Sequence, residues 1–346
     1  MAESIYYDGA KLLSLSDIDG NKPEIYMVVG NRSSGKTTYY SRMIVNRFKK
    51  KGEKFVVLYR YRDDLSDCAG KFFNDIQGLF FPNDVMTAIP KAKGAYTELL
   101  LNGNTCGYCI AINMAEKMKR YSHFFNEVTS IMFDEFQSES NKYCPKELDK
   151  FQSLHRTIAR GKGKMTRYVP VYMISNSVTL LNPYFSEFDI SSRLNSDTKY
   201  LRGHGWVLEQ NYNDMASKTF MESGFARAFA GSQYTEYASQ NVYLNDSRTF
   251  IECPSGKNNY LATLKYNGKN FAIREYAEQG ILYCDLSADM TYPFKIVVST
   301  EDHDVNYVML KNHDMFLSTL RFFFDNGCFR FKDLRCKEAV LKALSY

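Results

Sequence analysis

The sequence predicts an α/β protein in which a parallel sheet is flanked by helices and is followed by a smaller C-terminal α+β domain. Three observations predict this fold class. Apolar runs of strand length alternate with amphipathic helical stretches in the N-terminal half, and one of these runs enters a glycine-rich turn. Beyond about residue 241, strand candidates are separated by turn signals such as Asn267-Gly268.

Four apolar runs are the strand candidates of the N-terminal sheet. Each ends in polar residues or in glycine, as a buried strand does where it opens into a loop. Apolar side chains recur at helical spacing over 36–51, which predicts a helix that stops at Gly52. Asn102-Gly103 lies between strand-like flanks and predicts a hairpin, which we interpret as an insertion outside the core. The strand candidates span 23–29, 54–59, 129–133 and 169–174.

The length of the chain predicts more than one domain. Its 346 residues exceed the roughly 100–200 residues of one hydrophobic core. From Gly203-His204-Gly205 the residues become small and polar, which favours a helical linker or lid. The predicted boundaries are 1–205 for the first domain, 206–240 for the linker or lid and 241–346 for the C-terminal domain.

Composition excludes several classes of protein. Hydrophobic residues make up 45% and charged residues 24%, near globular averages, so disorder of the whole chain is excluded. The N-terminus lacks a signal-peptide pattern, and no apolar stretch reaches the roughly 18 residues of a membrane-spanning helix. From these two observations we expect a cytoplasmic protein and no membrane partner. The 8 cysteines form no compact framework, so we expect reduced thiols. A net charge of +5 permits an anionic partner without identifying it.

A glycine-rich segment carries the strongest chemical signal. It matches the pattern GxxxxGK[ST] and lies between an apolar run and a predicted helix, as phosphate binding requires. Its glycines let backbone N–H groups point at phosphate oxygens, and the helix adds its positive end. Lys36 would bind the β- and γ-phosphates of a nucleoside triphosphate, and the Thr37 hydroxyl would hold Mg²⁺. The predicted nucleotide-binding residues are Gly30, Asn31, Arg32, Ser33, Ser34, Gly35, Lys36, Thr37 and Thr38.

Two acidic residues end the third strand candidate. In a parallel sheet this strand end projects beside the phosphate loop. Asp134 suits the Mg²⁺ shell, and Glu135 could polarise an attacking water as general base, the role that separates hydrolysing enzymes from nucleotide switches. Asn176, after the fourth strand candidate, could hydrogen-bond the γ-phosphate or the attacking water, or could simply cap a turn.

A basic segment with two glycines, 155–164, precedes the fourth strand candidate. Two uses are open. An arginine that reaches the γ-phosphate in a neighbouring subunit, an arginine finger, would stabilise the charge of the transition state. Arg160 is the first candidate for this role and Arg156 is the second. Alternatively, the cations of this segment, including Lys162 and Lys164, bind nucleic-acid phosphates, or the segment is simply a solvated loop.

The order of these motifs resembles that of the DNA-packaging ATPases of small protein-primed phages of the phi29-like type. The resemblance covers nearly the full chain, and the more particular motifs carry it. They are 56–62 (VVLYRYR), 133–136 (FDEF), 157–160 (TIAR), 175–177 (SNS), 182–185 (NPYF), 266–268 (YNG), 279–285 (QGILYCD) and 326–331 (NGCFRF).

This resemblance implies site roles, cofactors and partners. It implies that ATP and Mg²⁺ are bound through Lys36, Thr37 and Asp134, and that Glu135 is the catalytic base. Arg160 would act in trans, Arg62 would also act across the subunit interface, and the segment 6–7 would contact adenine. The implied function is an ATP-hydrolysing, terminase-like ring motor that translocates viral double-stranded DNA into a preformed procapsid. The implied partners are the portal or connector, a packaging RNA and further copies of the chain, a pentamer by resemblance, at the portal vertex in the host cytoplasm.

The C-terminal domain of this family resembles an RNase H-type nuclease that has lost catalytic acids. Glu252 and Asp285 fall near predicted strand ends, but no third acid completes a two-metal site, so we expect no nuclease activity. A basic face would instead bind DNA or a packaging RNA. Its candidate residues are Lys332, Arg335, Lys337 and Lys342.

Three other functions remain open from the sequence. A helicase or another DNA-dependent P-loop ATPase would separate strands without a procapsid. A phosphotransferase would use the loop in a monomer and ignore DNA. A nucleotide-regulated assembly protein would keep its function when Glu135 is replaced by glutamine.

Overall fold

The computed structural model describes residues 7–140, 142–161, 163, 165–180, 182–191, 193–194, 198–229 and 250–344. The chain divides into two compact units, and each has its own sheet. The first unit comprises Met1–Tyr184 and Leu194–Asn245, and the second comprises Phe185–Arg193 and Asp246–Tyr346.

The described part of the first unit is built on a nine-stranded sheet. Its strands are β1 (Ile25–Gly30), β2 (Lys54–Tyr59), β3 (Met86–Lys91), β4 (Tyr96–Leu101), β5 (Asn104–Ala111), β6 (Val128–Asp134), β7 (Val171–Asn176), β8 (Tyr200–Gly203) and β9 (Trp206–Asn211). Their order is β3-β4-β5-β2-β6-β7-β1-β9-β8. The strands from β5 to β9 in this order run parallel, whereas β3, β4 and β8 add antiparallel edges. The predicted parallel-sheet α/β fold is confirmed.

The first unit also contains helices in its described part. They are α1 (Ala10–Leu13), α2 (Lys36–Lys51), α3 (Asp64–Phe80), α4 (Ala115–Met118), α5 (Glu147–Ala159), α7 (Asp214–Met221) and α8 (Gly224–Ala228), with 3₁₀ turns at Ile112–Met114 and Lys119–Glu127. The short helix α6 (Pro183–Glu187) lies in the chain where the first unit passes into the second. Helix α2 has the predicted bounds, and it ends because Gly52 adopts φ +67° and donates its N–H to the Phe48 carbonyl. The central strands are buried on both faces, which explains their continuous apolar runs.

Two features of the first unit differ from the sequence-based expectation. The hairpin around Asn102-Gly103 is present, but β5 pairs with β2 inside the sheet, so the hairpin is not an insertion outside the core. The sheet also continues past residue 205, because β9 pairs with β1 and is buried up to its last residue. Gly203 is therefore the last residue of β8, and His204-Gly205 is the turn of a β8–β9 hairpin rather than the start of a linker.

The second unit contains a six-stranded sheet in its described part. Its strands are β10 (Asn259–Tyr266), β11 (Lys269–Tyr276), β12 (Ile281–Asp285), β13 (Lys295–Val297), β14 (Val308–Met309) and β15 (Phe329–Phe331), in the order β14-β13-β10-β11-β12-β15. Strands β10, β11 and β12 form an antiparallel meander, β13 is parallel to β10, and β14 is parallel to β13. Two helices, α9 (Asp314–Asp325) and α10 (Leu334–Leu344), pack apolar residues against one face of the sheet.

None of the helices in the described ranges combines the length and the apolar character that a membrane crossing needs.

Candidate nucleotide-binding site

The phosphate-binding loop joins β1 to α2 and depends on close backbone packing. A Cβ atom at Gly30 would lie 2.0 Å from the carbonyl oxygen of Asn211 on β9, so no side chain fits there. Gly35 has φ +90°, a left-handed conformation that glycine adopts at little cost. Because this N-cap glycine has no side chain to occupy them, the first N–H groups of α2 can bind an anion.

The side chain of Asn31 fixes the loop to the segment that follows β9. Its Nδ2 atom donates to the Asn213 carbonyl at 3.0 Å, and the Asn213 N–H donates to Asn31 Oδ1 at 3.0 Å. Asn31 is buried, so both hydrogen bonds form in a place where an unpaired amide would be costly. The shape of the loop therefore depends on the β9 region.

Lys36 is buried within the loop. Its Nζ atom donates to the Asn31 carbonyl at 2.7 Å and to Ser34 Oγ at 3.1 Å. Burial lowers the pKa of Lys36 to about 8, against the opposing effect of the Asp134 carboxylate. An ammonium group that is desolvated in this way binds an incoming phosphate strongly.

Thr37 and Asp134 meet across the loop and the end of β6. The Thr37 hydroxyl donates to Asp134 Oδ1 at 3.1 Å. Burial, with a smaller contribution from the neighbouring Glu135 carboxylate, raises the pKa of Asp134 to about 7, although Thr37 and Lys36 oppose the rise. A hydroxyl and a half-buried carboxylate are hard oxygen ligands that suit Mg²⁺, and the positive charge of the ion would favour the ionised carboxylate.

Glu135 and Asn176 stand at neighbouring strand ends beside the same cavity. Glu135 is exposed and has φ +53°, a conformation that residues other than glycine seldom adopt. Its N–H donates to Asp134 Oδ1 at 3.0 Å. Since β6 and β7 are parallel neighbours, the carboxylate of Glu135 and the amide of Asn176 share the edge at which β1 enters the phosphate loop.

A cavity of about 690 Å³ is lined by the predicted nucleotide-binding residues from Ser33 to Thr38, but not by Gly30, Asn31 or Arg32. Ser33, Ser34, Gly35, Lys36, Thr37, Thr38, Asp134, Glu135 and Asn176 all line it. Arg32 lies on the surface and pairs with Glu139 at 3.3 Å. The predicted adenine contact at residue 6 lies outside the described residues, whereas Tyr7 lines the cavity.

The same cavity has a partly aromatic wall that the sequence did not predict. Tyr39, Arg42, Leu79 and Phe80 line it, and the Arg42 guanidinium stacks over the Phe80 ring at 4.6 Å. Flat groups of this kind can stack on a nucleobase. Arg42 lies on the first turns of α2, five residues after Thr37, so its position in the sequence could have indicated that it lines the nucleotide cavity. Nothing in the sequence places Phe80 near α2.

The two candidate finger residues do not reach this cavity. Arg156 and Arg160 are exposed and line a separate cavity of about 500 Å³, together with Lys119, His123 and Asn126. That cavity lies beside the start of β6, whereas the nucleotide cavity lies at its end, where Asp134 is located. The length of β6, about 20 Å, therefore separates the two cavities. Arg62 donates to the carbonyls of Lys93 and Gly94, outside the first cavity.

The predicted nucleic-acid contacts have different environments. Lys162 and Lys164 lie outside the described residues. Lys332 is exposed. Arg335 instead forms ion pairs with Asp189 and Asp333, both at 2.7 Å, and Lys337 is buried at 9% exposure. Arg335 and Lys337 are therefore less available to nucleic-acid phosphates than Lys332, because Arg335 is paired with carboxylates and Lys337 is buried.

The fold and the site together define a mixed α/β protein with a phosphate-binding loop at the carboxyl edge of a parallel sheet. The family model of the Podovirus DNA encapsidation protein (Gp16) matches residues 1–344, and the chain belongs to this family. It is thus a phage DNA-packaging protein, and the resemblance seen in its motifs is confirmed.

Individual relatives agree with the family assignment. The chain is 27% identical over 339 residues to the DNA packaging protein of Bacillus phage phi29. The aligned region covers 96% of this chain and 94% of that protein. It is 27% identical over 313 residues to the DNA packaging protein of Bacillus phage B103, at 88% and 91% coverage. Among solved structures, the bacteriophage Phi-29 viral genome packaging motor assembly matches with a TM-score of 0.71 and 25% identity, over 99% of this chain and 98% of that chain.

Proposed function

We propose that this chain hydrolyses ATP and, as a homo-oligomeric ring, uses the energy to translocate viral double-stranded DNA through the portal into a procapsid. The observation that carries the proposal is the cavity in which the phosphate loop, Asp134 and Glu135 meet. Membership of the DNA encapsidation family supports the choice of DNA as the substrate that is moved.

The phosphate end of the cavity has the groups that a bound triphosphate needs. The N–H groups at the start of α2 and the Lys36 ammonium supply positive charge for the β- and γ-phosphates. Thr37 and Asp134 are the residues that would hold Mg²⁺, and their hydroxyl and carboxylate fit that ion. When bound, the ion would neutralise charge on the same phosphate oxygens.

Hydrolysis needs a base that takes a proton from water. We assign this role to Glu135, because its carboxylate is exposed at the cavity edge, one residue beyond Asp134. Asn176 would orient the water or the γ-phosphate from the adjacent strand. The nucleobase would lie against Tyr39, Arg42 and Phe80.

The separate cavity with Arg156 and Arg160 supports an action in trans. Both arginines are about 20 Å of strand away from the nucleotide cavity of their own subunit, so they are better placed to serve a neighbour. A head-to-tail interface that closes into a ring would bring Arg160 to the next subunit's γ-phosphate. We assign the trans role to Arg160 and keep Arg156 and Arg62 as secondary candidates.

The second unit is proposed to be an RNase H-like, nucleic-acid-binding domain without nuclease activity. The antiparallel meander β10-β11-β12 and the parallel strands β13 and β14 beside it support this proposal. The two acids near strand ends are both neutralised, since Asp285 pairs with Arg274 at 2.8 Å and Glu252 pairs with Arg330 at 3.1 Å. Exposed Lys332 remains a candidate for phosphate contact.

The motor proposal extends to its partners and its location. Packaging requires the portal of the procapsid, and we propose a pentameric ring with a packaging RNA as its scaffold, acting at the portal vertex in the host cytoplasm. The similarity of this chain to a subunit of the Phi-29 packaging motor assembly supports an assembled state.

The test of the proposed function is ATP hydrolysis and DNA uptake by cognate procapsids. Wild type should hydrolyse ATP and protect DNA from added nuclease by internalising it. Lys36→Ala should lose nucleotide binding, whereas Glu135→Gln should bind nucleotide but neither hydrolyse it nor package DNA. A Glu135→Gln variant that packages DNA at the wild-type rate would refute the assignment.

A further inference from the structure

We propose that Arg60 is a positioning residue for Glu135, acting through the backbone that carries the catalytic carboxylate. This inference rests on the proposed function, in which Glu135 is the general base. Arg60 directly follows β2, the strand that pairs with β6 on the side opposite to β7. It therefore reaches the end of β6 from a neighbouring strand.

The Arg60 guanidinium binds the two carbonyl groups that follow the end of β6. Its Nη2 atom donates to the Phe136 carbonyl at 2.6 Å, and its Nη1 atom donates to the Glu135 carbonyl at 3.3 Å. The N–H of Glu135 is bound to Asp134 Oδ1 at 3.0 Å. The N–H of Glu135 is thus held by the Asp134 side chain, and its carbonyl is held by the Arg60 side chain.

Glu135 needs such fixing because of its conformation. Its φ of +53° lies in the left-handed region, which a glutamate leaves readily unless the surrounding structure determines it. The side chain itself is exposed, so the direction of the carboxylate depends on the backbone. Misplacement of a catalytic group by about 1 Å can lower a rate by about 100-fold.

Arg60 is in turn held by a buried carboxylate. Its Nε atom lies 3.1 Å and 3.0 Å from the two carboxylate oxygens of Glu147 at the start of α5. Only 10% of the Arg60 side chain and 1% of the Glu147 side chain are exposed. Glu147 also accepts hydrogen bonds from the Tyr184 hydroxyl at 2.8 Å and from the Cys144 N–H at 2.9 Å. With its acceptors satisfied, Glu147 fixes the plane of the guanidinium.

A purely stabilising role is the competing explanation, and the structure offers a way to separate the two. Replacing both members of a buried ion pair by apolar residues of similar size is often neutral for folding, whereas removing one partner is not. The double variant Arg60→Met/Glu147→Gln removes both charges and keeps an oxygen that can accept from the Tyr184 hydroxyl, so it should fold, but it cannot donate to the carbonyls of Glu135 and Phe136. Arg60→Lys keeps the charge and loses the planar fork that spans two carbonyls.

The experiment measures kcat and KM for ATP, nucleotide affinity, thermal unfolding and hydrogen exchange of the amides over 135–137. We expect both variants to bind ATP within about twofold of wild type while kcat falls by about 10- to 100-fold and the amides exchange faster. Arg274→Lys is the matched control, because Arg274 also bridges a carboxylate and a carbonyl, those of Asp285 and Ser287, in the other unit. Its kcat should remain that of wild type.

A folded double variant or a folded Arg60→Lys with wild-type kcat would overturn the inference. If the double variant does not fold, Arg60→Lys still tests the inference, because a positioning role lowers kcat and leaves KM for ATP nearly unchanged. Glu135→Gln is measured in parallel: if it hydrolyses ATP normally, the proposed function fails, and a loss of kcat in the Arg60 variants then has another origin.

Discussion

Replacement of Gly30 by alanine tests how the phosphate loop depends on β9. The added Cβ would lie 2.0 Å from the Asn211 carbonyl oxygen and 3.0 Å from its carbonyl carbon, whereas ordinary contacts begin at 3.4 Å. Gly30 and Asn211 are register partners in two adjacent parallel strands, so the backbones must separate by more than about 1 Å. Overpacking of this kind costs about 1–3 kcal/mol, and we expect about 2 kcal/mol of lost unfolding free energy.

The same displacement should reach the nucleotide site. Asn213 follows β9 and holds Asn31 through two hydrogen bonds of 3.0 Å, so movement of β9 loosens the loop. We expect a several-fold loss of ATP affinity in Gly30→Ala in addition to the lost stability. A loss of one of these two hydrogen bonds accounts for about 1 kcal/mol, or about fivefold.

The assay is urea unfolding followed by tryptophan fluorescence. The sequence has 1 tryptophan, Trp206, which is buried on β9, so its signal reports on this sheet. Gly70→Ala is the matched control, because no atom lies within 4 Å of a Cβ added there on α3, and alanine should stabilise that helix by up to about 1 kcal/mol. Wild-type stability in Gly30→Ala would refute the packing argument.

Three further predictions concern nucleotide and DNA binding. Mg²⁺ binding needs an ionised Asp134, and the pKa of this carboxyl group is raised to about 7. The Mg²⁺-dependent affinity for ATP should therefore fall as the pH drops from 7 to 5, by up to about tenfold per pH unit. Calorimetry at several pH values checks this, and Asp134→Asn should remove the pH dependence. Arg42→Ala should weaken ATP binding about fivefold while leaving the affinity for inorganic triphosphate unchanged in competition titrations, because only the base contacts this wall; equal losses for both ligands would contradict the base assignment. Affinity for double-stranded DNA should fall linearly with salt on logarithmic axes, as measured by fluorescence anisotropy, since packaging needs phosphate contacts rather than base readout; a flat salt profile would count against it.

The sequence predicted those parts of the fold that are coded locally. The run at β2 and the bounds of α2 were predicted correctly, because a buried parallel strand is a continuous apolar run and Gly52 ends the helix. The assignments of β5 and β9 failed for a common reason. Their place in the sheet depends on pairing with β2 and β1, strands distant along the chain, and nothing local indicates those partners.

The candidate site shows the same division between local and distant information. The residues from Ser33 to Thr38, which line the cavity, belong to one contiguous motif of the sequence, whereas the Arg60–Glu147 pair joins residues 87 positions apart. Arg335 was predicted as a nucleic-acid contact because it is basic, but Asp189, 146 positions away, pairs with it. The sequence contains no local signal for an acidic partner that comes from another segment, and the nucleic-acid contact of Arg335 stays a prediction.

The measurement that tests the central claim most directly is ATP hydrolysis, with double-stranded DNA present, by Arg160→Ala, by Glu135→Gln and by a mixture of the two. Each variant alone should be inactive, and the mixture should recover activity, because a Glu135→Gln subunit lends its Arg160 to a neighbour whose base is intact. Two inactive variants with no recovery in the mixture would contradict a ring motor that shares its active sites between subunits.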